Sequence, residues 1–66
     1  MVYIKLTTAY NGSPVYVNTA NITTIEPYSY DESCTVVNLV GGAHIMVAET
    51  AEKVVKCIYQ ERREEM

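Results

Sequence analysis

The stretch 34-CTVVNLVGGAHIMVAETAEKVVKCIYQ-60 decides the fold, because its hydrophobic period changes once along its length. Up to Ala48 the apolar residues alternate. Val37 and Leu39 share one face and, after a turn at Gly41-Gly42, Ile45 and Val47 return to it. Period two marks a strand with one buried side, and a Gly-Gly step between two such runs marks a hairpin. Beyond it, Ala51, Val54, Val55 and Ile58 recur at i, i+3, i+4 and i+7, the stripe of an amphipathic helix. Thr50 is the natural N-cap, and Glu52 complements the helix dipole in the first turn. Glu49–Lys53 and Glu52–Lys56 are acid-before-base pairs one turn apart. Residues 61–66 lack an apolar stripe and are expected to be a solvated, fraying end.

The chain before this stretch reads as strands. Val2, Ile4 and Leu6 alternate with Tyr3, Lys5 and Thr7, giving one buried face. Asn11-Gly12 predicts a tight hairpin turn, since both residues tolerate positive φ. Residues 14–18 return with Val15 and Val17 inward and Tyr16 outward, and Pro14 suits only the start of that strand. Residues 18–21 form a turn, and the spacing of Ile22 and Ile25 suits one short helical turn leading into the next strand. That strand is expected to stop at Pro27, with residues 29–33 as a polar loop. The predicted architecture is α+β: a small antiparallel β-sheet or partly closed barrel of four to five strands, built from β-hairpins and followed by one C-terminal amphipathic helix. A chain of 66 residues has room for one domain, residues 1–66.

Composition narrows the function. Apolar residues make up 48% and charged residues 20%, which suits a globular domain rather than a disordered one. Eight acidic against five basic residues leave a formal net charge of −3, which disfavours DNA, RNA and anionic membrane surfaces as partners. No apolar run reaches the ~18 residues of a membrane helix, and the first residues lack a signal-peptide layout, so a cytoplasmic protein is expected. Phosphate-loop, dinucleotide, zinc-protease and nucleophile-elbow motifs are all missing. With His44 the sole histidine, and Asp31 and Glu32 pointing apart on an extended chain, no catalytic set assembles. A non-enzyme with no metal and no cofactor is expected.

Two features point toward binding. Val36, Val40, Met46 and Ala48 fall on the outward face with Tyr3 and Tyr16, a greasier surface than a wet sheet face requires. A core this small gains most from a partner subunit, so Tyr16, Val36, Val40 and Met46 are expected to form a homo-oligomer interface. The second feature is aromatic usage: six Tyr, no Phe and no Trp. Tyr supplies contact area and a hydrogen bond at low rotamer cost, as binding surfaces favour. Tyr10, Tyr28 and Tyr30 are the loop aromatics free to stack on a base. Lys5, with Arg62 and Arg63 from a neighbouring subunit, would supply positive charge for a nucleotide-like anion.

Several of these residues carry a resemblance. Ile4-Lys5-Leu6-Thr7, Asn11-Gly12, residues 15–18, Ile22 and Ile25-Glu26 are similar to the flagellar FlbD/SwrD-type proteins. Val37-Asn38-Leu39, Gly42, Val47-Ala48-Glu49 and the helix from Thr50 extend the likeness over nearly the whole chain. The departures are the longer loop at residues 28–33 and the doubled Gly41-Gly42. The resemblance implies a small β-rich fold and a non-enzymatic protein. Flagellar members are motility accessories, and similar short proteins occur in phages and prophages.

Two function classes follow, with an enzyme as a distant third. One is a phage- or prophage-encoded homo-oligomer that holds a small anionic ligand in inter-subunit pockets, for example to sequester a host immune signal. The other is an adaptor that binds another protein, such as a host protein or a flagellar component. Cys34 and Cys57, with 22 residues between them and outside any CxxC or Cys/His cluster, read as small buried hydrophobes in a reducing compartment. Thiol titration of the unfolded protein is accordingly expected to find two free thiols, and elemental analysis no stoichiometric zinc.

Overall fold

A computed structural model describes residues 3–64, with side chains described through residue 60. Five strands precede the helix: β1 (Tyr3–Thr7), β2 (Pro14–Asn18), β3 (Ile22–Tyr28), β4 (Asp31–Leu39) and β5 (His44–Val47), then α1 (Ala51–Glu64). All pairing is antiparallel, in a two-stranded sheet β1-β2 and a three-stranded sheet β3-β4-β5. The α+β class and the strand count agree with the sequence, whereas a closed barrel does not form. The two sheets meet at one corner. Thr8 bridges Val47, with Ala48 N–H donating to Thr7 C=O at 2.8 Å and Ala9 N–H to Met46 C=O at 3.0 Å.

That corner is completed by Glu49. An antiparallel ladder continued past Ala48 would pair the Thr7 N–H with the Ala48 carbonyl. The chain turns toward α1 instead, and the Glu49 carboxylate accepts the Thr7 N–H at 3.0 and 3.1 Å. The Glu49 carbonyl accepts the Thr35 hydroxyl of β4 at 2.6 Å. One residue therefore ties β1 and β4 together where β5 has run out. Glu49 lies before the helix, so its carboxylate serves this joint rather than the expected partner Lys53. The Glu52–Lys56 pair does form, at 3.8 Å, but its exposure leaves it little weight. Thr50 caps α1 as expected: its hydroxyl accepts the Lys53 N–H at 3.2 Å.

Ile4, Leu6, Val17, Val37, Val47 and Val54 are the buried apolar core. Ile4, Leu6 and Val17 come from the small sheet, Val37 and Val47 from the larger, and Val54 from the helix laid across both. Leu39 and Ile45 pack against this core on the face that alternation assigned to them. The helix stripe is shifted from the expected one. Val55 is 53% exposed, and Cys57 takes its place against the core beside Ile58. Residues 61–64 continue the helix, and residues 65–66 of the expected fraying end lie outside the described residues. Both cysteines are free and half-buried.

Turns account for the remaining differences. The Asn11-Gly12 connection is wider than a two-residue hairpin. Thr8 N–H donates to Ser13 C=O and Gly12 N–H to Thr8 C=O, while Asn11 Oδ1 accepts from Ser13 N–H and the Thr8 hydroxyl. Gly12 takes φ +74° and Asn11 stays at negative φ, because its side chain closes the turn. Gly41 and Gly42 both take positive φ, +88° and +84°, which a side chain would resist. The helical turn ahead of β3 is a single 3-10 turn over Thr19–Asn21, capped by the Asn18 side chain on Ala20 N–H. β3 does not stop at Pro27. It continues to Tyr28 through a register shift, leaving Ser29 and Tyr30 as the turn where a five-residue loop was expected.

At that turn Asp31 folds back on its own chain. Its Oδ1 accepts Ser33 N–H at 3.0 Å and the Ser33 hydroxyl at 2.6 Å, and its Oδ2 lies 3.7 Å from the Cys34 thiol. These donors, the Ser33 hydroxyl foremost, hold the carboxyl below the ordinary aspartate pKa against a small opposing desolvation. A depressed folded-state pKa contributes order that is present above the unfolded value, near ~3.9, and lost as pH falls through the folded one. The Ser33 amide proton is therefore expected to keep its folded NMR shift through the usual Asp titration and lose it only at lower pH; Asp31→Asn should abolish that transition. For the corner, Thr35→Val keeps the shape of a fully buried side chain but orphans the Glu49 carbonyl. Urea unfolding should show a loss of ~1–3 kcal/mol with an unchanged slope.

Candidate functional site

The residues singled out by sequence sit on three separate parts of the surface. Tyr28 and Tyr30 flank the β3–β4 turn with ring centroids 5.5 Å apart at 61°, an edge-on pair. Tyr30 is 87% exposed, whereas Tyr28 is half-buried under it. Lys5 stands mid-β1 directly across from Tyr16 of β2, with Tyr3 opposite Asn18 on the same outward face. Tyr10 projects from the β1–β2 loop, also 87% exposed. Of the ligand residues chosen by sequence, the structure brings one pair together, Tyr28 with Tyr30. The side chains of Arg62 and Arg63 lie outside the described ones.

The residues chosen for an interface also divide. In register, Glu26, Val36 and Met46 form one row across the three-stranded sheet, and Thr24, Asn38 and His44 form the next. Val36 and Met46 are half-buried, while Val40, at the β4–β5 turn, and Tyr16 are exposed. Asn38 Nδ2 donates to Thr24 Oγ1 beside it at 2.9 Å and to Glu26 Oε1 of the first row at 3.0 Å, so hydrogen bonds tie the two rows together on the β3 side. Among the described residues, no three His, Cys, Asp or Glu side chains come close enough to hold a metal ion.

Two concave places draw on residues that sequence reasoning left apart. The larger is a groove of about 480 Å³ between the start of the β1–β2 loop and strand β5, lined by Thr8, Ala9, Tyr10, His44, Ile45 and Met46. Period two puts His44 on the outward face with Met46, but their meeting with Tyr10 depends on the Thr8–Val47 bridge, for which a local pattern carries no signal. The second lies on α1, where Val55, Lys56, Tyr59 and Gln60 line a shallower hollow of about 350 Å³. Val55 and Tyr59, one turn apart and 53% and 65% exposed, form an apolar strip on the helix flank away from the core. Both are surfaces suited to contact.

No curated protein and no solved structure matches the chain. A family model described as flagellar and swarming motility proteins, FlbD, matches residues 3–65, from the first described strand to the end of the helix. The three described hairpins, the Glu49 joint and the capped helix fall within the match, and the chain belongs to the FlbD family of flagellar and swarming motility proteins.

Proposed function

We propose that this protein is a non-enzymatic adaptor that acts in flagellar or swarming motility by binding another protein, in a cytoplasmic setting. The observation that carries the reading is the family match across residues 3–65. The surface supports it: Tyr3, Tyr10, Tyr16, Tyr30 and Tyr59 are all more than half exposed, and Tyr is enriched where proteins meet. Among the described residues, no helix is long and apolar enough to cross a membrane. Self-association through Tyr16, Val36, Val40 and Met46 belongs to the same proposal, since six buried apolar side chains among the described residues make a thin core.

The competing reading is a homo-oligomer, phage- or prophage-encoded, that sequesters a nucleotide-like immune signal. It requires subunits to assemble Lys5, Tyr10 and the Tyr28–Tyr30 pair into one pocket, because within one chain these residues occupy separate elements. One set of experiments separates the two. Deleting the gene in its host should reduce swarming, and Lys5→Ala or Tyr30→Ala in the restored gene should leave swarming intact. Calorimetric titration with cyclic mono- and dinucleotides should give no heat. Nucleotide binding lost in Lys5→Ala, together with normal swarming of the deletion, would overturn the adaptor reading. Sedimentation should show an assembly larger than 7.4 kDa that Met46→Glu dissociates by burying an unpaired charge.

A further inference from the structure

We propose that the open half of the β5 edge, at His44, accepts an extended, uncharged segment of a partner protein as an added strand. This rests on the protein-binding reading above and names the surface and the chemistry of the partner. Leu39 N–H donates to Ala43 C=O, and Val37 lies across from Ile45, so residues 43, 45 and 47 direct their backbone groups toward β4. By the same alternation, His44 and Met46 direct theirs away from it. Met46 C=O is taken by Ala9 N–H, and just beyond, at Tyr10, the chain leaves the line of β1 and turns toward Gly12. The N–H and C=O of His44 therefore border the groove in the lane that β1 would have filled had it run on.

The outer edges of β3 and β2 are closed to this use. In β3, Ile25 and Pro27 face outward, since Val36 and Asn38 are the β4 residues that pair toward β3. In β2, Pro14 and Tyr16 face outward, since the Thr8–Ser13 bond sets the phase of that ladder. Each of these edges thus carries a proline where an outward N–H would stand, a standard block against strand addition. The His44 edge carries no such block. It opens instead onto a groove whose lining holds no Asp, Glu, Lys or Arg. Main-chain bonds at His44 would hold the segment. One apolar side chain would lie between the Tyr10 ring and Met46, where a charge would be stripped of water without a partner. A volume of about 480 Å³ is ample for a short segment, within the ~300–1,000 Å³ of small binding sites. A second copy offering its own β5 is the wrong occupant. A two-fold pairing of β5 edges centred on His44 would set the second copy's Gly42 opposite Met46, and one centred on Ile45 would set its His44 there, in both cases in the lane that Ala9 already fills.

The test uses the full chain, labelled with nitrogen-15, and a panel of capped pentapeptides that alternate Thr with Val, Ile, Leu or Tyr. Control peptides carry a central Glu or Lys, or backbone N-methyl groups. At least one uncharged peptide is expected to shift the amides of Ala9, Tyr10, His44 and Met46 and to slow exchange at His44. Charged-centre and N-methylated versions should bind at least tenfold more weakly. His44→Pro removes the outward N–H without touching a β4 bond and should weaken binding at least tenfold. Tyr10→Ala, outside every strand, gives the same reading should the proline variant not fold. No binding by any peptide, shifts centred elsewhere, or equal binding by the N-methylated peptides would overturn the inference. Failure here with swarming still lost on gene deletion sinks the groove and leaves the adaptor; peptide binding with normal swarming does the reverse.

Discussion

Everything else in this fold hangs on how Glu49 closes the corner between the two sheets. β5 is only four residues long, and where it ends the backbone of β1 faces an empty lane. An unpaired N–H there would cost ~1–3 kcal/mol, a large share of what so small a protein has. The Glu49 carboxylate fills the lane on one side and its carbonyl takes the buried Thr35 hydroxyl on the other. Thr50, the next residue, starts the helix. The contact that joins the sheets therefore also determines where α1 begins and from which corner it crosses the core.

A core of six aliphatic side chains, with no aromatic ring buried among the described residues, leaves the tyrosines to the surface. A two-stranded sheet is marginal alone and leans on the helix and on the larger sheet through Ile4, Leu6 and Val17. The outward faces pay for this economy with exposed apolar area on β2, at the β4–β5 turn and on the helix flank.

How much of this was legible depends on the range of the signal. The inward set Val37, Leu39, Ile45 and Val47 followed from period two, and Thr50 from its position one residue before a helical stripe. Val55 was misplaced because i, i+3, i+4 spacing leaves a helix free to rotate by a fraction of a turn; which flank is wet depends on where β1, β3 and β4 sit beneath it. Pro27 was read as a stop, and it would be one inside a sheet. β3 is an edge strand whose proline faces outward, which local composition does not reveal. The loop at residues 29–33 shrank to a turn because Asp31 found Ser33, a side-chain bond that lets the strand start early.

Sequence alone determined the strand faces, the hairpin order, the capped helix and, by its resemblance over nearly the whole chain, the family. These are properties of neighbours a few residues apart, where side-chain alternation and turn chemistry act directly. Tertiary structure decided that the strands split into two sheets joined at one bridge, that Glu49 serves β1 rather than Lys53, and that Tyr10 meets His44 and Met46 beside an open edge. Each of those depends on groups 34 to 42 residues apart finding each other. No periodicity encodes such a meeting; it is settled when the core closes and each buried N–H and C=O must find whichever partner lies within reach.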